Sequence, residues 1–174
     1  YQSANPLITS TKSMEFDGSD QLLTTQADTV AQNTTYSFWA KTSTTSRNVV
    51  FGHGGVTIGC FSFNYDGSRP IIRTGDAKFL YFDDVTQQED DKWHHWVVYM
   101  DYVDLTNSKL YCDGVLQNVD QTSNTGTINA YTQPLTIGAD NQAGDNEYEG
   151  LITEFGTWDR ELTSLEVASL YNQG

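Results

Sequence analysis

The residues best suited to chemistry in this chain are oxygen donors. The stretch IGADNQAGDNEYEG brings Asp140, Asn141, Asp145, Asn146 and Glu147 into one turn-rich segment. Calcium takes about six to eight oxygens from carboxylates, amides and carbonyls, mostly on loops. These residues are therefore candidate calcium ligands, although Asp and Asn at such spacing are also ordinary turn formers. Tyr65, Tyr81, Tyr131 and Tyr148 fall in or near expected loops. A tyrosine ring can stack on a sugar face while its hydroxyl bonds to ligand or water. The four are candidate glycan-binding positions, with cover for the edges of a sheet as the structural alternative.

Three histidines offer less. His94 and His95 are adjacent in KWHHWVVYMD, a strand-like run. Strand neighbours point to opposite faces, so the pair cannot easily share one ligand site and a structural role is expected. Neither they nor His53 sit in a recognisable nucleophile context. Cys60 and Cys112 each lie in an apolar strand-like stretch, TIGCFSF and KLYCDG. Two buried thiols and a single bridge both fit, because pairing cannot be deduced from sequence.

Elements must position these groups. The 174 residues favour one domain spanning 1–174, with residues 1–12 a weakly patterned arm or edge strand. Aromatics make up 13% of the chain, and with many Thr and Val they point to strands. Short apolar runs are separated by Asp17-Gly18, Asp66-Gly67 and Asp113-Gly114, which are hairpin or turn signals. A succession of such strands fits an all-β, two-sheet sandwich. One helix is expected at TSLEVASLYNQG. Thr163 and Glu166 form a capping box there, and Leu165, Ala168 and Leu170 or Tyr171 are the expected buried face.

The net charge of −14 argues against nucleic acid, whose phosphates call for a basic footprint. No apolar run approaches the ~20 residues of a membrane-spanning helix, so membrane insertion is not expected. The chain starts at Tyr1 without a leader-like segment, which suits a mature chain or an excised domain.

In order, the strings MEFDG, YSFWAK, KWHHWVVYMD, KLYCDG, LTIGAD and YEGLITEFGTWDRELTSLEV resemble the laminin-G-like and pentraxin branch of the concanavalin A-like lectin/glucanase superfamily. The resemblance spans nearly the whole chain, from Met14 to Leu170. The resemblance implies an antiparallel jelly roll that presents rim loops or a concave face to a ligand. It places Asp140 on an acidic calcium ligand of pentraxins and Asn141 on a position that supplies a carbonyl. Gln142 stands where pentraxins have Asp, and their Asp-Asn pair is missing near GHGGVT. The implied site is thus a single calcium rather than a pair. The glucanase relatives carry E-x-D-x-E or E-x-D-x-x-E on one strand, and neither string occurs here. The nearest pairs, Glu147 with Glu149 and Glu89 with Asp91, lie elsewhere, so no enzymatic activity is expected. The expected function is recognition or adhesion, with a glycan or protein surface as partner, calcium-assisted, outside the cell or on a particle surface. A structural subunit decorating a phage particle or cell surface, assembled into a larger particle, is the alternative. A polysaccharide hydrolase or lyase is a more distant one.

Overall fold

The computed structural model describes residues 12–19, 22–23, 33–53, 59–63, 69–74, 78–83, 89–123, 134–139 and 147–173. Among them, thirteen strands form two antiparallel sheets. The first sheet has the order β1 (Met14–Asp17), β13 (Glu149–Trp158), β3 (Thr34–Lys41), β8 (His94–Met100), β9 (Lys109–Cys112) and β10 (Val115–Leu116). The second has the order β11 (Val119–Ser123), β7 (Lys78–Phe82), β6 (Ile71–Thr74), β5 (Cys60–Phe63), β4 (Asn48–His53), β12 (Leu135–Ile137) and β2 (Leu22–Leu23). The all-β sandwich expected from the alternation of aromatic strands and turns is the fold observed.

Aromatic strands build the core because one face of each sheet must be hidden from water. Phe38 faces Trp96 across the β3–β8 pairing. Together with Tyr36, Phe51, Phe61, Phe63 and Phe82, they fill the space between the sheets. Tyr36 stacks on Phe51 with ring centres 4.2 Å apart. Even the histidine on β4 joins this layer: His53 is buried, and its Nε2 lies 2.9 Å from the Tyr36 hydroxyl. Both cysteines are free and buried, one in each sheet, so the bridge is not formed.

The β9–β10 hairpin turns at Asp113 and Gly114, with φ of 49° and 77°. Positive φ at both central residues is the type I′ geometry that Asp-Gly favours. The helix α1 (Ser164–Gln173) lies against the other face of the first sheet. Its capping box is intact: the Thr163 amide donates to Glu166 Oε2 at 2.8 Å, and the Glu166 amide donates to Thr163 Oγ1 at 3.3 Å. The buried face matches the expected one at Leu170 and Tyr171 and departs from it at Leu165. Leu165 is 84% exposed, whereas Val167 is fully buried against Val97 and Tyr111 with Leu162 and Leu170. Leu162, which precedes the helix, packs in the same cluster.

Candidate functional site

A groove of about 440 Å³ opens at one rim of the first sheet. Its walls come from the ends of three neighbouring strands and one turn: Glu15 and Asp17 from β1, Lys41 and the following Thr42, Ser43 and Thr44 from β3, Glu149 to Leu151 from β13, and Asp91. Register explains the grouping. Glu15 pairs with Leu151, Asp17 with Glu149, and Leu151 with Lys41, so successive rows bring these side chains to one end of the sheet. Lys41 contacts Asp91 at 3.3 Å. Four carboxylates thus meet one ammonium group in the lining.

The groove floor is fixed from below by a buried amide. Asn48 is fully buried and accepts from the Glu149 amide at 2.7 Å through Oδ1. Its Nδ2 donates to the Glu149 carbonyl at 3.2 Å and to Thr42 Oγ1 at 3.1 Å. Thr42 Oγ1 donates in turn to the same Glu149 carbonyl at 2.6 Å. Both backbone groups of Glu149 are therefore held by side chains from the β3 end and β4. At Gly150 the backbone takes φ of 144°, and a Cβ there would collide with the Lys41 carbonyl oxygen. Sequence reasoning missed Asn48 and Thr42, since their partner lies 101 and 107 positions away.

The positions singled out in the sequence separate. Tyr65, Tyr131, Asp140, Asn141, Asp145 and Asn146 lie outside the described residues. Glu147 is partly buried just ahead of β13, next to the groove strand but not in the groove lining. Tyr148 is not an exposed platform. It is fully buried, edge-on to Phe16 with ring centres 6.0 Å apart. Its amide donates to the Gly138 carbonyl at 2.7 Å and its carbonyl accepts from Gly18 at 3.1 Å, which draws the side chain inward. Tyr81 is 7% exposed on β7, with the Arg69 guanidinium 4.2 Å above its ring. That ring face is already covered by a cation and is closed to a sugar. Glu89 and Asp91 do not lie on a strand, because Asp91 is left-handed with φ of 57°. The alternation that would align their carboxylates is therefore absent.

Tyr148 leads to a stability prediction. Its hydroxyl is buried with no hydrogen-bond partner among the described residues, and burial pushes its pKa up. An unpartnered buried hydroxyl costs about 1–3 kcal/mol. Tyr148→Phe is expected to leave urea stability unchanged or raise it by about 1 kcal/mol, recovering part of that cost. A loss above that size would show that the hydroxyl has a partner.

His94 and His95 face opposite ways, as the strand geometry requires. His95 lies under α1: its Nε2 is 2.8 Å from Ser37 Oγ, and its ring is 5.2 Å from that of Trp39 and 6.2 Å from that of Tyr171. Burial pushes its pKa down to about 4, so it is neutral. His94 instead reaches two carboxylates, Asp113 Oδ2 from Nδ1 at 2.6 Å and Asp90 Oδ1 from Nε2 at 3.1 Å. Donor atoms of His94, Cys112 and Asp113 lie within 4.8 Å of one another. However, Asp113 Oδ1 already accepts from the His95 amide at 2.9 Å, its Oδ2 holds His94, and burial drives the Cys112 thiol pKa far up. The group is a hydrogen-bonded cluster rather than a coordination shell.

A two-sheet antiparallel sandwich with a helix on one outer face and a polar groove at its rim defines a jelly-roll domain. The chain belongs to the concanavalin A-like lectin/glucanases superfamily, whose laminin-G-type family model matches residues 16–168. No curated protein matches it. Among solved structures it is similar to the native heptameric pentraxin of Limulus polyphemus, with TM-score 0.69, 15% identity, and 90% of this chain and 80% of that one covered. It is also similar to domain 4 of the extracellular GH43 arabinanase of Geobacillus stearothermophilus, solved with arabinotriose, with TM-score 0.65, 17% identity and coverage of 92% and 76%. A third is the botulinum neurotoxin type G receptor binding domain, with TM-score 0.57, 17% identity and coverage of 91% of this chain but 46% of that one. At these identities the likeness establishes the fold.

Proposed function

We propose that the protein is a non-catalytic carbohydrate-recognition module whose rim groove binds uncharged sugars. The observation that carries this reading is the groove itself, an open trough lined by carboxylates and hydroxyls on a floor clamped by Asn48 and Thr42. Carboxylates accept from sugar hydroxyls, and the Ser43 and Thr44 hydroxyls can donate or accept, while Thr42 Oγ1 is committed to the floor. Preorganised polar groups lower the ordering cost of binding. The carboxylate excess repels anionic sugars, so neutral glycans are favoured over sialylated or sulfated ones. The arabinotriose complex of the arabinanase domain supports a sugar as the ligand class, since the two domains share the fold. Phe16, the aromatic among the described lining residues, is buried, so affinity comes from hydrogen bonds rather than stacking.

Calcium held by Asp140, Asn141, Asp145, Asn146 and Glu147 is the accompanying proposal. A stretch of sequence rich in Asp and Asn ahead of the groove strand supports it. A glycan array run with and without chelator tests both parts. Neutral glycans are expected to bind and anionic ones not, with binding weakened by chelator. A chelator-insensitive signal removes calcium from the reading. Glu15→Gln combined with Glu149→Gln is expected to weaken binding at least about tenfold, the loss of one or two charge-assisted hydrogen bonds. Leu116→Ser, in a separate cleft of about 430 Å³, is expected to leave it unchanged. The reverse pattern would move the site to that cleft. A flat array from a chain that forms symmetric assemblies would favour the architectural role.

A further inference from the structure

We infer that the protein carries a proton-operated latch: a cationic His94, clasped between Asp90 and Asp113, pins the 89–92 turn and with it one wall of the rim groove. The inference rests on the groove being the binding site, but its mechanical part can be measured without any ligand. Both ring nitrogens of His94 meet carboxylate oxygens, at 2.6 and 3.1 Å. A carboxylate only accepts, so both contacts are hydrogen bonds only when both nitrogens carry protons. A neutral imidazole has a single N–H and must release one of the two acids. The ring is 12% exposed, so water cannot readily replace the lost partner.

The two acids belong to different parts of the rim. Asp113 sits in the β9–β10 turn, which is tied to β8 through its amide on the His95 carbonyl at 2.8 Å and its Oδ1 on the His95 amide. That side of the clasp is rigid. Asp90 belongs to the turn before β8, where its carboxylate also holds the Lys92 amide and ammonium, each at 3.0 Å. The next residue, Asp91, is in left-handed backbone and donates its amide to the Thr42 carbonyl at 3.0 Å, while its side chain meets Lys41 in the groove wall. A non-glycine residue at positive φ persists only when its surroundings hold it there. Losing the proton from His94 therefore releases the Asp90 side first, and the groove loses the support of Asp91.

The charged surroundings agree. Burial pulls the His94 pKa down, but the hydrogen bond and charge of Asp113, then those of Asp90, more than offset it, and the pKa ends above 6.5. Burial would raise the pKa of Asp90, yet Lys92 and His94 keep it below the usual value. The remaining titratable neighbours are Cys112, whose thiol stays protonated, neutral His95, and Tyr171, which feels the Asp113 charge. For a histidine whose pKa is raised on folding, the stabilisation is complete below 6.5. It fades as pH climbs through the folded value. The latch is closed below 6.5 and opens as pH climbs through the raised pKa of His94.

The test follows the His94 ring by NMR while measuring amide exchange of Asp91 and Lys92 across pH. His94 is expected to titrate above 6.5, and exchange at both amides, corrected for its intrinsic pH dependence, to rise about tenfold through the same midpoint. Asp90→Asn should lower that midpoint and leave the two amides fast at neutral pH, with the rest of the sheet still protected. His94→Gln should abolish the pH step. A His94 that is neutral at pH 6.5, or exchange that ignores its titration, overturns the latch. If the latch titrates as expected but no glycan binds at any pH, the failure lies with the groove as a sugar site.

Discussion

Gly150→Ala is expected to lower stability by about 2–5 kcal/mol, combining the strain of positive φ with a backbone clash. The methyl group would meet the Lys41 carbonyl oxygen, which cannot swing aside as a side-chain tip can. Relief requires β13 to shift away from β3, against the Asn48 and Thr42 hydrogen bonds that hold Glu149. In a thermal melt this corresponds to a drop of about 5–15 °C for a chain of this size. Gly18→Ala is the control. Gly18 also has positive φ, 85°, but its nearest obstacle is the Glu149 Cβ at an ordinary 3.8 Å. Its cost should be confined to the dihedral, about 1–2 kcal/mol. Equal losses at the two glycines would show that the Lys41 contact does not constrain the strand.

Asn48→Ala is expected to cost about 2–4 kcal/mol, because it orphans the buried Glu149 amide and removes two further hydrogen bonds. Asn48→Asp is a sharper version. The new carboxylate can still accept from the Glu149 amide, but it faces the Glu149 carbonyl and Thr42 Oγ1 where an N–H stood. Two acceptors then oppose each other around a buried charge, so the aspartate should destabilise at least as much as alanine. Urea unfolding gives the free energies, and amide exchange at Glu149 shows whether the loss is local. A variant within about 0.5 kcal/mol of the parent would mean that the clamp is not structural. Loss of glycan binding without loss of the fold would place the whole effect at the groove floor.

These predictions rest on contacts that differ in how visible they are in the chain. The Asp113-Gly114 turn and the Thr163–Glu166 box could be read directly, because each is closed by residues two or three apart. The helix start was therefore legible, and its buried face only in part. Leu165 has the right chemistry and points to solvent, because it stands two residues from the buried Val167 and so on the far side of the helix. Tyr148 was misread for a related reason. Flanked by Glu147 and Glu149, it has the local composition of a loop, but hydrogen bonds to Gly138 and Gly18 place its ring beside Phe16. The opposite facing of His94 and His95 followed from strand geometry. The clasp around His94 did not, since Asp90 and Asp113 reach it from two separate turns.

The sequence by itself determined the class of fold. The short aromatic-rich runs, the Asp-Gly turns and the capped final helix act over a few residues, where strand propensity and hydrogen bonding are local. Only the tertiary structure decided which polar residues matter to the rim. Asn48, Thr42, Lys41, Asp91 and Glu149 come together because β1, β13 and β3 pair in one register, and register is settled by burial of a whole sheet face rather than by any short segment. The same long-range pairing hides Tyr148 and makes one histidine of an adjacent pair neutral while it sets the other between two carboxylates.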